Sequence, residues 1–516
     1  MAEGRMPQWG SSVALLAVFS SYAPLEIWAS NVVGVGHWER LLALIVLAFG
    51  VGLVLWSGLV WAGVRGTTAL FCTTAALVLA ASGGALLVAM GDLGGALFMV
   101  SALTIAVTLV ARIPNHRPLR IGLAVAAIFL ISGPLMSLVD SWTNFGTSNV
   151  VDVDVEMSSF DETPDIWLVV LDGYAGSTAY RQDGSIVEPP MVSEPLSELG
   201  FDVYRSAWAA YPTTTGSVPS LLEMGYVLDD GAAMNTATVR DLYHSIGGSN
   251  NLNAILTANG YTTTMIEAGW SGSGCGAVDR CVESPFLDEA VVKALERSVL
   301  AEWIAENYGY AFTNGAQSAM SWVLLNAREL DENKRADFIF AHVMAPHPPF
   351  FLSEECEIEF DYRRSGVQFS RPSDSFADRV GFYEDQARCV NSFMLELARS
   401  LGPDTVVIFV GDHGTDSRNQ LSLDAAQWEL EAIQERMNTF LAIRAAPGCD
   451  IPDGLVIPEV PLKLVNCLAD LPSASPPSRI FIESVGRGGQ PASVVELDPE
   501  LVRELIDSRL GESPST

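Results

Sequence analysis

Positive charge is what this chain has least of. Its 516 residues include 29 Lys and Arg against 61 Asp and Glu, a formal charge of −32. That balance argues against nucleic acid as a partner, because phosphate binding needs clustered Lys and Arg. Histidine is also scarce, with six in all. There are no internal repeats, which excludes a solenoid or propeller array. Hydrophobic residues are abundant at 49%, an odd match for so acidic a chain. The two properties occupy different parts of it.

The first part carries long uncharged runs. Residues 41–64, "LLALIVLAFGVGLVLWSGLVWAGV", and 67–90, "TTALFCTTAALVLAASGGALLVAM", each exceed the roughly 20 residues that cross a bilayer. Residues 93–111 and 121–139 read the same way, and 12–30 is a fifth segment, interrupted by Pro24 and Glu26. A cleaved signal peptide is the alternative for the fifth, but no small-residue cleavage site follows a clean apolar run. Five crossings put the two ends on opposite sides. Arg5, Arg65, Arg112, Arg117 and Arg120 fall on one side and Arg40 on the other. The excess of arginine marks the cytoplasmic side, so everything after Val139 is expected outside the membrane.

Cysteine usage fits that topology. Cys72 lies in an apolar run, while Cys275, Cys281, Cys356, Cys389, Cys449 and Cys467 follow outside. Six cysteines in an oxidising compartment permit three disulfides. The most economical pair is Cys275 with Cys281, across "CGAVDRC". Scattered thiols are the other reading.

From residue 165 on, short apolar runs alternate with helical patterns such as 287–305 and 376–401. The strands expected are "DIWLVVLDG" (165–173), "GYTTTMIEAG" (260–269), "ADFIFAHVMAPHPP" (336–349), "DTVVIFVGDHG" (404–414) and "MNTFLAIRA" (437–445). Apolar strands alternating with helices predict an α/β domain, a mostly parallel sheet covered on both faces. Sites in such sheets lie beyond the carboxyl ends of the strands. Asp172, His347, Asp412 and His413 fall there. Asp412 and His413 sit between Gly411 and Gly414, which leave the turn free to bend so that both side chains converge. A carboxylate beside an imidazole is an ordinary ligand pair for Zn or Mn, and Asp172 could add a third ligand. A salt-bridged surface turn is the plainer reading.

The stretch "YPTTTGSVPSLLEMGY" (211–226) offers a nucleophile. Pro219 suits the first turn of a helix beginning near Ser217. The hydroxyls before it would then face a helix N-terminus, where anions are favoured. An ordinary Ser/Thr cap explains the same residues.

"PDIWLVVLDGYAG", "YPTTTGSVPSLLEMGY", "FAHVMAPHPPF" and "VVIFVGDHG", in this order, resemble the sulfatase-like branch of the alkaline phosphatase superfamily. A five-helix membrane domain followed by such a domain is similar to lipoteichoic-acid synthases and bacterial phosphoethanolamine transferases. The resemblance implies one divalent metal, Zn or Mn, held by Asp172, Thr214, Asp412 and His413. It also implies a catalytic Thr214, five residues before Pro219 as in the transferase pattern T-x-x-S-x-P, and a substrate-contacting His347. Sulfatases would place their nucleophile at Ser217. They continue with an arginine where this chain has Leu221, and carry a second aspartate where it has Gly173. Both departures favour transfer. Two further ones bear on the substrate: Asp172 stands where phosphoethanolamine transferases use glutamate, and no histidine follows His413 to complete a second metal site.

The expected organisation is a transmembrane domain (1–142), a juxtamembrane linker (143–164), a catalytic domain (165–485) and a tail (486–516). The partners implied are a membrane lipid donor and an envelope glycan or lipid acceptor. A phosphodiesterase or sulfatase-type hydrolase, and a non-catalytic envelope-binding protein, are the alternatives.

Overall fold

The computed structural model describes residues 9–30, 38–64, 66–82, 121–129, 132–133, 135–136, 147–153, 159–160, 162–176, 180–182, 185–187, 192–267, 274–282, 319–325, 327, 336–348, 350, 352–357, 376–416, 421, 423–472, 477–484 and 493–510. The chain divides into two units, Met1–Phe145 with Leu287–Phe312, and Gly146–Phe286 with Thr313–Thr516.

In the first unit, helices Trp9–Ser30, Trp38–Trp61 and Gly66–Ser82 pack around Leu16, Phe19, Trp56, Ala69 and Leu70. Among the described residues, no helix is long and apolar enough to count as a membrane crossing. The expected crossing at 93–111 lies outside the described residues, as do parts of 67–90 and 121–139 and the helical pattern 287–305.

The second unit is built on an eight-stranded sheet. Its strands are β1 (Ile166–Leu171), β4 (Asp202–Trp208), β5 (Thr262–Ile266), β6 (Arg280–Val282), β7 (Asp337–Val343), β8 (Val406–Gly411), β9 (Asn438–Arg444) and β10 (Leu455–Val456). Two small hairpins stand apart from it, β2 (Tyr180–Gln182) with β3 (Ser185–Val187), and β11 (Phe481–Ser484) with β12 (Ser493–Glu496). The sheet order is β10-β4-β9-β8-β1-β7-β5-β6. All pairings are parallel except the two that β9 makes with β8 and β4.

Strands β1 and β8 are apolar throughout because both faces are buried. Along β1, Trp167, Val169 and Leu171 enter one core and Ile166, Leu168 and Val170 the other, the period of two that a pleated strand imposes. The register then sets the site. Leu171 pairs with Val343 on one side and with Gly411 on the other. Asp172 and Asp412 therefore leave the sheet at the same level, one residue beyond paired positions.

Segments read as a linker and a tail are fastened to this domain. Val151 N–H donates to Val227 O at 2.8 Å, and Phe160 N–H donates to Asn259 Oδ1 at 2.8 Å. Beyond residue 485, β12 pairs with β11, and helix Pro499–Leu510 buries Val502 and Leu505. The disulfides are Cys275–Cys281, Cys356–Cys389 and Cys449–Cys467, with Cys72 left as a thiol.

Candidate active site

Three strand ends, those of β1, β7 and β8, and one helix start meet at the carboxyl edge of the sheet. Asp172 follows β1 and its N–H extends the ladder to Val343 O, 2.9 Å. Gly173 turns the chain away at φ 69°, a conformation that costs glycine little. Asp412 and His413 follow β8. Here the two glycines act differently from the sequence expectation. Neither Gly411 nor Gly414 has a left-handed backbone among the described residues; each is needed for room. A Cβ on Gly411 would lie 2.2 Å from Tyr174 O, and one on Gly414 would lie 2.0 Å from Glu435 O.

The helix carrying the hydroxyls also begins earlier than the proline suggested. It runs Thr214–Glu223 with Thr213 as N-cap. Thr213 O accepts from Gly216 N and Ser217 N at 3.1 and 2.9 Å, so the first turn closes before Pro219. That proline lies inside the helix, where it removes the bond to Thr215 O. Thr214 is thus the first helical residue, not one preceding the helix.

This placement separates the two candidate hydroxyls. Thr214 Oγ1 lies 3.4 Å from Asp172 Oδ2 and 3.3 Å from His413 Nε2. Ser217 is fully buried and donates its hydroxyl to the backbone oxygen of Asp412 at 2.6 Å. Thr214 points into the carboxylate cluster, whereas Ser217 fastens the helix to the Asp412 turn.

The imidazoles are oriented by backbone carbonyls. His413 Nδ1 donates to Gly414 O at 2.8 Å, which leaves Nε2 facing Asp172 Oδ1 at 3.6 Å and Asp412 Oδ2 at 3.4 Å. His347 Nδ1 donates to Pro348 O at 2.5 Å, and its Nε2 is 4.0 Å from Asp172 Oδ1. Its side chain is 20% exposed, so it is the member of the cluster that reaches solvent. His342 lies fully buried on β7 with Nε2 3.2 Å from Asp172 Oδ2. It therefore belongs to the cluster, as a donor that orients Asp172.

The electrostatics call for a cation. Ligand atoms of Asp172, His342 and Asp412 lie within 4.8 Å of one another, as do those of Asp172, His347 and His413. Two carboxylate charges at such a distance repel by about 3 kcal/mol at an effective dielectric near 20. Burial, and then the charge of Asp172, pushes the Asp412 carboxyl up to about 7. Burial pushes Asp172 the same way, but the neighbouring histidines, led by His347, outweigh it and hold Asp172 below the ordinary carboxylate range. Burial, reinforced by the Arg436 charge, keeps His413 neutral, the form in which imidazole binds metal. Asp412 Oδ1 takes the N–H groups of Gly173 and His413, both at 2.9 Å. Asp172 Oδ1 and Asp412 Oδ2, both buried, accept no hydrogen bond among the described residues. Two acceptors without donors, a neutral imidazole and a hydroxyl form a mixed oxygen–nitrogen donor set that fits a divalent metal such as Zn or Mn.

Sequence reasoning passed over Arg436. Its guanidinium is buried and donates to Pro212 O at 2.5 Å and to Gly414 O at 3.0 Å. It ties the Thr214 segment to the His413 turn. No motif signals it, because it ends a short polar helix, Leu430–Met437. His342 had a signal, as the one titratable side chain in the interior of an otherwise apolar strand.

The sulfatase family model matches residues 175–444. No curated protein sequence matches the chain. Among solved structures, the chain is similar to the integral membrane lipooligosaccharide phosphoethanolamine transferase A of Neisseria meningitidis, at 13% identity over 90% of this chain and 96% of that one, with a TM-score of 0.39. It is similar also to the periplasmic domain of EptC from Escherichia coli, at 9% identity over 68% of this chain and 96% of that one, with a TM-score of 0.38. The same domain in complex with zinc matches at 10% identity over 69% and 96%, with a TM-score of 0.37. Because the family model spans more than half of the 516 residues, the chain belongs to the sulfatase family and is an enzyme, a hydrolase or transferase.

Proposed function

We propose that this enzyme moves a phospho-group, of the phosphoglycerol or phosphoethanolamine class, from a membrane lipid donor to an envelope glycan or lipid. One observation carries the reading. The hydroxyl in the transferase position, Thr214, faces Asp172 and His413, while the hydroxyl in the sulfatase position, Ser217, is spent on Asp412 O.

Asp172, Thr214, Asp412 and His413 would hold one divalent cation. When bound, it supplies positive charge for the phosphoryl oxygens and eases loss of the Thr214 proton. With its proton already released to solvent, Thr214 Oγ1 attacks the donor phosphorus and keeps the group as a phosphothreonine diester. His347, the cluster member that reaches solvent, protonates the leaving oxygen of the donor. An acceptor hydroxyl then gives its proton to His347 and displaces Thr214. Gly414 O and Arg436 keep the His413 ring and the Thr214 segment in place.

Two observations support an extracytoplasmic domain on a multi-pass anchor. Three disulfides suit an oxidising compartment. On helix Trp38–Trp61, Val54 and Trp61 are 73% and 92% exposed, an apolar surface suited to lipid. The match to the sulfatase family supports a second reading, hydrolysis, with water in place of the acceptor.

The test is turnover of a generic phosphodiester by Thr214→Ala and Ser217→Ala. Thr214→Ala should lose several orders of magnitude in rate, as loss of a covalent nucleophile does. Ser217→Ala should cost roughly 1 kcal/mol of stability and no more than about tenfold in rate. A dead Ser217→Ala beside a near-native Thr214→Ala would reverse the assignment toward sulfatase-type chemistry.

A further inference from the structure

His347 is held at three points. Its N–H donates to Asp172 O at 2.8 Å, its ring to Pro348 O, and its own carbonyl accepts from Gln386 Nε2 at 3.0 Å. Gln386 lies in the Phe376–Ser400 helix and is 2% exposed. Its other carboxamide atom, Oε1, accepts from Leu352 N at 3.2 Å. One buried amide thus grips the backbone at both ends of the segment that carries the imidazole. Three residues further along the helix, on the same face, Cys389 is joined to Cys356. Three residues earlier, the Tyr383 hydroxyl accepts from Ala175 N at 2.9 Å. The same face of the helix therefore spans the loop after Asp172 and the loop of His347.

A polar side chain buried this deeply costs stability unless its bonds are made. Among the described residues its two bonds go to the His347 loop, and the disulfide fixes the far end of that loop to the same helix. We infer that Gln386 is a positioning residue, which sets the His347 imidazole against Asp172 and, through it, the step that handles the leaving oxygen. The inference rests on the phospho-transfer reading only in taking His347 as a group that meets the substrate.

A double-mutant cycle on the whole chain tests it. kcat and KM for a generic phosphodiester are measured for Gln386→Met, His347→Ala and the double variant, with metal content and thermal midpoint in parallel. Gln386→Met keeps the side-chain volume and loses the bonds to His347 O and Leu352 N. Its kcat should fall about ten- to hundredfold, the scale on which a displaced group acts, with KM and metal content near native. The double variant should be no slower than His347→Ala by more than about twofold, because a group that acts through His347 then has nothing left to position. Gln386→Glu, which keeps the acceptor for Leu352 N and loses the donor to His347 O, should fall between Gln386→Met and the native protein. It carries the same test if Gln386→Met does not fold. Native kcat in Gln386→Met, or losses that multiply in the double variant, overturns the inference alone. Native rate in His347→Ala overturns the proposed role of His347 along with it. Loss of folding in both Gln386 variants makes the residue structural and overturns the inference.

Discussion

Acids stand at both edges of the sheet, at the starts of β1 and β7 and beyond the ends of β1 and β8, and the two edges differ. At the amino edge, Asp165 Oδ1 takes the backbone N–H of Asp337 at 2.8 Å, and Asp165 O takes that of Val406 at 2.8 Å. Burial, and then the charge of Asp165, pushes the Asp337 carboxyl up, countered by Arg280. At the carboxyl edge, Asp412 is pushed up in the same way by burial and Asp172. So a strained pair of acids is not by itself a centre. It follows from parallel strands ending in register. What sets the carboxyl edge apart is company: the Nε2 of His413, the hydroxyl of Thr214 and the solvent-reaching His347 converge there. At the amino edge the counter-charge comes instead from an arginine, and Asp165 is engaged with backbone.

The largest effect that would break this contrast is at Asp412. Asp412→Asn removes one proposed metal ligand while keeping the shape. Bound metal should fall at least about tenfold, since even residues that only support metal ligands cost ten- to a hundredfold, and turnover should fall with it. Elemental analysis of the purified protein checks this. Full metal content in the variant would mean that the carboxyl edge is no more a metal centre than the amino edge.

The smallest effect is at Asp337. Its folded pKa lies above the unfolded one, so the favourable contribution belongs to the protonated form. That contribution is complete below the unfolded value of about 3.9 and is lost as pH rises through the folded value. Asp337→Asn cannot ionise, so it should gain stability over the native protein as pH rises from about 4 toward 8, with metal content and turnover unchanged. Thermal midpoints across that range check the sign. A loss of turnover would show that the amino edge also contributes to the chemistry.

Much of this is legible in the sequence. β1, β7, β8 and β9 are marked by mostly apolar runs, because strands buried on both faces have little room for polar residues, and β5 by the β-branched run "TTTMI". β4 was hidden, since "DVYRSAW" mixes polar and apolar residues and its pairing with β9 shifts register between Tyr204 and Ala207. β10 has only two residues. Asp172, Asp412 and His413 stand out as charges closing apolar runs beside glycines. Thr214 could be told from Ser217 only by analogy, and the helix start was misplaced because Pro219 looked like a first-turn residue. Arg436 and Gln386 gave no signal, because a polar residue on a helix reads as a solvated face until its backbone partners, more than 20 residues away in sequence, are known.

The central claim is that Thr214 carries the transferred group. Intact-mass analysis of the protein with phosphoethanolamine or phosphoglycerol lipids, followed by peptide mapping, tests it most directly. The account predicts an added phospho-group on the peptide at Thr214, kept in Ser217→Ala and absent from Thr214→Ala. A group mapped to Ser217, or one that persists in Thr214→Ala, would contradict it.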